Sequence, residues 1–353
     1  MTDLPKIPVN LVTGFLGVGK TTALTRLLAG KPADQYWAVV VNEFGEIGID
    51  GATLSAAGDN LNVAEVPGGC ICCTTSPMLR TALTRLVRER RPDRILIEPS
   101  GLGHPAGIVD LLRDPLLAKA FSLRAVVTLL DPRHLDDTRY TTHETWRDQL
   151  ELADVLVLNK VDLADAEQLA RARRMGEALF PEKLAIVEAI KGDLDPALLD
   201  LALDTRRWGN VVVRPAGHGL TPSRRQGAPV QAETEPAYPL RKTQSSLDSH
   251  SCGWVFGPET LFVSYQVAEL FEAFSQPEAL ELAGLTRAKG VFHTERDWYR
   301  FDWVDGMPAA AISAYRRDNR FEVIVQSTTP PDWAALEAAL FATRLDSAAD
   351  LSS

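Results

Sequence analysis

Between Ile7 and about Asp204, short apolar runs alternate with amphipathic stretches. The runs IPVNLVTG, WAVVVNE, NVAEV, DRILIE, RAVVTLLD and DVLVLNK are aliphatic or β-branched and lack polar alternation, as strands do when helices cover both faces of their sheet. Such alternation predicts an α/β domain with a mostly parallel, doubly wound sheet. From about Thr205 to Ser251 the periodicity fades into RPAGHGLTPSRRQGAPVQAETEPAYP and RKTQSSLDSHS, whose Pro, Gly, Ser and charge read as a linker. Beyond it, WVFGPETLFV, VSYQVAELFEAF, GVFHTE, WYRFDWV, RFEVIVQ and DWAALEAALFATR predict a small α+β unit. Trp254, Trp298, Trp303 and Trp333 fall there, where aromatics among short strands form the core or one binding face. The expected organisation is 1–205, a linker at 206–251, and 252–353.

Composition narrows the function classes. The 353 residues are 45% hydrophobic and 24% charged, enough for one large domain or two ordinary ones. A formal charge of −10 argues against nucleic acid or anionic membrane as partner, since both need a basic face. No apolar stretch approaches the roughly 20 residues that span a bilayer. MTDLPKIPVN carries no signal core, so a cytoplasmic location is expected. Four cysteines are too few for a disulfide framework, and three of them cluster at Cys70, Cys72 and Cys73, which in a reducing compartment points to metal or redox chemistry.

GFLGVGKTT at 14–22 follows a β run and precedes the helical TALTRLLAG, the setting a P-loop requires. Gly14, Gly17 and Gly19 let the backbone turn so that its amides, with those of Val18, Thr22 and the helix N-terminus, face phosphates. Lys20 supplies charge to the β and γ oxygens, and Thr21 can hold Mg2+. After the strand DVLVL stands Asn159-Lys160-Val161-Asp162. The Asp162 carboxylate can accept the N1–H and 2-amino hydrogens of guanine, whereas adenine leaves it unpaired at a cost on the order of 1–3 kcal/mol. Asn159 would brace the loop and the stem of Lys160 would lie along the base. GTP is therefore the expected ligand.

RILIEPSG ends a strand with Glu98, then Pro99-Ser100-Gly101. A carboxylate there can join Thr21 around Mg2+, and Gly101 can approach the γ-phosphate. No glutamine follows this glycine to orient water, so slow intrinsic hydrolysis is expected until a partner or metal completes the site. Cys70, Cys72 and Cys73 lie behind two glycines in PGGCICC. Three thiolates can converge on one borderline cation such as Zn2+ and leave a coordination position open for exchange. A buried thiol cluster and a redox pair are the other readings, although adjacent Cys72 and Cys73 do not easily pair. His250 and Cys252 are auxiliary ligands or incidental, His104 a nucleotide sensor or turn residue, and His293 structural or part of a docking face.

GFLGVGKTT, VNEFGEIGID at 41–50, PGGCICC, IEPSG and NKVD, in that order, resemble the CobW-type metallochaperone GTPases. The resemblance spans nearly the whole chain, with the tail similar to the small C-terminal domain of that family. It implies that GTP hydrolysis moves zinc from the three thiols to a zinc-requiring client apoprotein. It also implies that Glu43, Glu46 and Asp50 form a switch segment between nucleotide and metal. Many relatives carry a histidine-rich stretch near the linker, where only His218 and His250 stand here, which argues against bulk metal storage. A GTP-dependent interaction switch with a structural zinc, and a cargo of cobalt, iron or nickel, are the alternatives. Homo-oligomerisation is left open.

Overall fold

A computed structural model of the chain describes residues 5–41, 61–65, 76–103, 105–201, 212–214, 238–245, 249–304 and 306–345. Two compact units divide them, the first comprising 1–204 with 209–223 and the second 205–208 with 224–353.

The first unit is built on strands β1 (Ile7–Gly14), β2 (Trp37–Val41), β3 (Leu61–Glu65), β4 (Arg94–Glu98), β5 (Phe121–Leu123), β6 (Val127–Leu130), β7 (Val155–Asn159), β8 (Ala185–Ala189) and β9 (Val212–Arg214). Eight run in the order β3-β2-β4-β1-β6-β7-β8-β9, and β5 also pairs with β1. The pairings are all parallel. Helices α1 (Lys20–Ala29), α2 (Ser76–Glu89), α3 (Ala106–Arg113), α4 (Thr138–Thr141), α5 (Glu144–Leu152) and α6 (Ala166–Ala178) lie in the connections.

Alternate side chains of one strand enter different cores, the mark of a sheet covered twice. In β2, Trp37, Val39 and Val41 join Leu24 and Leu27 of α1, while Ala38 and Val40 join Leu79 and Leu83 of α2 and Ile108 of α3. The doubly wound α/β reading holds for this unit. Because β1 lies between β4 and β6, the chain reverses its direction of winding beside β1, and ligands bind at the carboxyl ends of strands flanking such a switch point.

The second unit contains β10 (Leu240–Ser245), β11 (Ser249–Phe256), β12 (Leu285–His293), β13 (Trp298–Val304), β14 (Met307–Ile312) and β15 (Asn319–Gln326), with helices α7 (Ser264–Ala273) and α8 (Ala334–Ala342). The sheet is antiparallel in the order β10-β11-β15-β12-β13-β14. Trp254, Phe271, Phe274, Phe292, Phe321 and Trp333 fill its core, and rings such as Phe262 and Phe292 meet edge to face at 4.9 Å, a favoured aromatic geometry. Trp254, Trp298, Trp303 and Trp333 are all buried.

Several elements differ from the sequence expectation. Leu240–Ser245 and the start of β11 fall inside the stretch read as linker. β10 is an edge strand with mostly exposed side chains, and an edge position tolerates the polar residues that made it read as linker. His250 and Cys252 are embedded in β11. Burial pushes the Cys252 thiol up to about 11, and His250 Nε2 donates to the Ser327 carbonyl at 3.0 Å, so neither is presented as a metal ligand. His293 bonds the Pro258 carbonyl through Nδ1 at 2.7 Å and stacks on Trp298, a structural role. Among the described residues no helix is long and apolar enough to cross a membrane.

Candidate functional site

The P-loop leaves β1 at its carboxyl end and enters α1 directly. Gly19 caps α1 with φ 95°, a left-handed conformation that strains any residue with a Cβ. A Cβ here would also lie 2.8 Å from Asn159 Nδ2. Glycine therefore satisfies two demands, the turn and the approach of Asn159 at the end of β7. Val18 is fully buried, Lys20 Nζ donates to the Phe15 carbonyl at 3.2 Å, and Thr22 lies in the first turn of α1.

Asn159 ends β7 and is 1% exposed. Its Nδ2 donates to the Val18 carbonyl at 2.8 Å, and its Oδ1 accepts from the Gly192 amide at 2.9 Å. One side chain thus fastens the P-loop to the loop that follows β8. Lys160 adopts φ 60°, which turns the chain so that Nζ reaches the Gly17 carbonyl at 2.5 Å. Asp162 follows in a short 3-10 turn with its side chain exposed, a carboxylate free of the core. Asn159, Lys160 and the P-loop, far apart in sequence, are brought together here.

At the end of β4, Glu98 is 4% exposed and accepts from the Thr21 hydroxyl at 3.2 Å. A carboxylate and a hydroxyl side by side are hard oxygen donors of the kind Mg2+ takes, so these residues fit that ion. Gly101 comes next to the P-loop: a Cβ on it would lie 2.7 Å from Leu16 Cδ2 and 3.0 Å from Lys20 Nζ. The two loops are in van der Waals contact at a glycine, and a larger residue would push them apart.

Sequence reasoning missed the residues that hold these loops from behind. Asp131, 1% exposed, follows β6 and lies 3.5 Å from Lys160 Nζ. Burial alone would raise its carboxyl, but hydrogen bonds from Arg133 outweigh burial and hold it below the usual carboxylate range. The anion therefore persists and steers Lys160. Phe15 of the P-loop packs edge-on against Tyr140 and His143, and Tyr140 stacks on His134 at 3.8 Å. Burial lowers the His134 pKa, favouring the neutral ring. Gly192, in AIKG after a strand-like run, carried the most legible of the missed signals: a glycine at a parallel strand's carboxyl end. Cys70, Cys72, Cys73, Glu43, Glu46, Asp50, His104 and His218 lie outside the described residues. Among those described, no group of three or more His, Cys, Asp or Glu side chains is arranged to hold a metal.

Residues 8–186 match the model of the CobW/HypB/UreG nucleotide-binding domain. The chain is 36% identical over 337 residues to the zinc chaperone YeiR of Escherichia coli, covering 95% of this chain and 98% of that one. It is 38% identical over 231 residues to the zinc chaperone CobW of Pseudomonas aeruginosa, covering 57% of this chain and 61% of that protein. The solved structure of Zn(II)-bound YjiA GTPase from E. coli is similar over 97% of this chain and 100% of that one, at 20% identity and a TM-score of 0.45.

Asn159→Ala removes two buried hydrogen bonds and leaves the Val18 carbonyl and Gly192 amide without that partner. Nucleotide affinity should fall by about tenfold to hundredfold, on the order of 1.4–2.8 kcal/mol. Displacement of a fluorescent GDP analogue measures it. Wild-type affinity would contradict the bracing role.

Proposed function

The chain belongs to the CobW/HypB/UreG family, and we propose that it is a zinc metallochaperone which hydrolyses GTP and passes Zn2+ from Cys70, Cys72 and Cys73 to a client apoprotein. The chain is a P-loop GTPase of this family. The observation that carries the finer reading is the union of two things: an assembled nucleotide site, and full-length similarity to a protein named as a zinc chaperone. The thiols enter from the sequence alone. The reducing cytoplasm is the compartment in which three free thiolates persist.

Each residue of the site has a task in hydrolysis. Water attacks the γ-phosphorus, the bond to the β–γ bridging oxygen breaks, and GDP and phosphate leave. Amides of Gly14, Gly17, Val18 and Gly19, with those of Thr21 and Thr22 at the start of α1, face the phosphates. Lys20 neutralises the oxygens on which charge accumulates. Thr21 and Glu98 would hold Mg2+, which when bound offsets phosphate charge. The backbone amide of Gly101 meets the γ-phosphate, and the closeness of Gly101 to Lys20 supports that assignment. Asn159 and Lys160 shape the base pocket, while Asp162 selects guanine.

The thiols lie in the chain between β3 and α2, and β3 is on the same side of β1 as Glu98. Glu43, Glu46 and Asp50 stand in the preceding connection, between β2 and β3, and both connections can respond to the γ-phosphate.

Two substitutions test the halves of this reading. Asp162→Asn replaces an acceptor by an amide that can pair with the 2-oxo group of xanthine; GTP affinity should fall by about tenfold to hundredfold and XTP binding improve. Retained guanine affinity would contradict base selection by Asp162. Cys72→Ser should leave the thermal midpoint and GDP affinity at wild-type values while Zn2+ binding, measured by metal analysis and chelator competition, drops at least about tenfold. Loss of metal together with global unfolding would instead mark a structural zinc site.

A further inference from the structure

The connection from β6 to β7 contains a buried glutamine whose side-chain amide donates to the loop carrying Gly101. Gln149 sits on α5 and is 1% exposed. Its Nε2 donates to the Gly101 carbonyl at 3.1 Å and to the Gly103 carbonyl at 3.2 Å. Both acceptors are carbonyls, which cannot donate, so the orientation of the amide is fixed by chemistry. Its own backbone carbonyl accepts from the Thr128 hydroxyl at 3.0 Å, tying this turn of α5 to β6. The loop it grips is a tight turn closed by the Gly103 amide on the Ser100 carbonyl at 2.8 Å.

We propose that Gln149 is the positioning residue of the hydrolytic loop, holding Gly101 against the P-loop so that its amide is set for the γ-phosphate. The inference rests on the reading of Gly101 given above. Gln149 reaches neither nucleotide nor water in this account; it acts through the loop. Two N–H donors on one planar group bracket Leu102 from both sides, fixing the peptide that follows Gly101. Because even a Cβ on Gly101 would collide with Leu16 Cδ2 and crowd Lys20 Nζ, a shift of the loop by a few tenths of an ångström changes its approach to Lys20 directly. GDP has no group at that position, so the contribution should appear in the triphosphate state and in hydrolysis, and be absent from GDP binding.

The test uses the full-length protein in single-turnover GTP hydrolysis, with equilibrium binding of GDP and of a non-hydrolysable GTP analogue. Gln149→Met keeps the volume and removes both donors; it should slow hydrolysis by about tenfold or more, weaken the analogue, and leave GDP affinity within about twofold. Gln149→Glu gives a second readout. As an anion it repels both carbonyls, and burial raises its pKa; once protonated, its O–H can donate to one of them. Its rate relative to wild type should therefore recover as pH falls through that raised pKa and be lost as pH rises. A structural filler would give no such profile. Gly101→Ala is the reference: slowed hydrolysis supports the reading of the loop. If Gly101→Ala is slowed while Gln149→Met hydrolyses within about twofold of wild type, the role of Gln149 is overturned alone. A parallel loss of GDP affinity in Gln149→Met, or a flat pH ratio for Gln149→Glu, overturns it too, the second deciding should the Met variant not fold. Gly101→Ala at wild-type rate overturns the loop reading, and the Gln149 role with it.

Discussion

The amide of Asn159 bonds in two directions, to the Val18 carbonyl at 2.8 Å and from the Gly192 amide at 2.9 Å, and the nucleotide site depends on that double attachment. A parallel sheet delivers its loops to one edge but leaves each loop free to drift, because loop backbone has few partners of its own. A planar side chain with a donor at one corner and an acceptor at the other removes that freedom for two loops at once. The donor needs a carbonyl from the P-loop, so Val18 must present one, and the approach this requires leaves no space for a Cβ on Gly19. Residue choice at Gly19 thus follows from residue choice 140 positions later.

Around that attachment the connection from β6 to β7 behaves as a scaffold. Asp131 steers Lys160, Tyr140 and His143 bracket Phe15, and Gln149 grips the turn at Gly101 and Gly103. The contacts reach three parts of the site, and those of Asp131, Tyr140 and Gln149 originate in buried or half-buried side chains. A buried carboxylate costs free energy to desolvate unless it is paired, and Arg133 with Lys160 offsets that cost for Asp131. The arrangement concentrates rigidity behind the nucleotide, the preorganisation on which electrostatic stabilisation of phosphoryl transfer relies.

What was legible in the sequence follows from this chemistry. The P-loop and Asn159-Lys160-Val161-Asp162, which meet through Asn159 and Lys160, stood out because the phosphate and base expected there demand particular residues at fixed spacing after a strand. Gln149 did not, since its partners are backbone carbonyls 48 and 46 residues away, and any residue type displays a carbonyl. Asp131 did not either, since its partners Arg133 and Lys160 are set by packing behind the loops and not by a spacing that a ligand imposes. The apolar runs gave β1, β2, β3, β4, β6 and β7, whereas the three-residue strands β5 and β9 are too short to form a pattern. β10 was misread as linker because an edge strand needs neither an apolar face on both sides nor a hydrophobic run.

Nucleotide and metal are linked in this account by one free energy, so each must alter the affinity of the other by the same factor. Competition titration of Zn2+ against a chelator, performed on the GDP form and on the form holding a non-hydrolysable GTP analogue, measures that factor directly. The account predicts affinities differing by at least about tenfold, roughly 1.4 kcal/mol of coupling. Equal affinities in the two states would contradict it, and GTP hydrolysis would then have no means of driving the metal from its thiols.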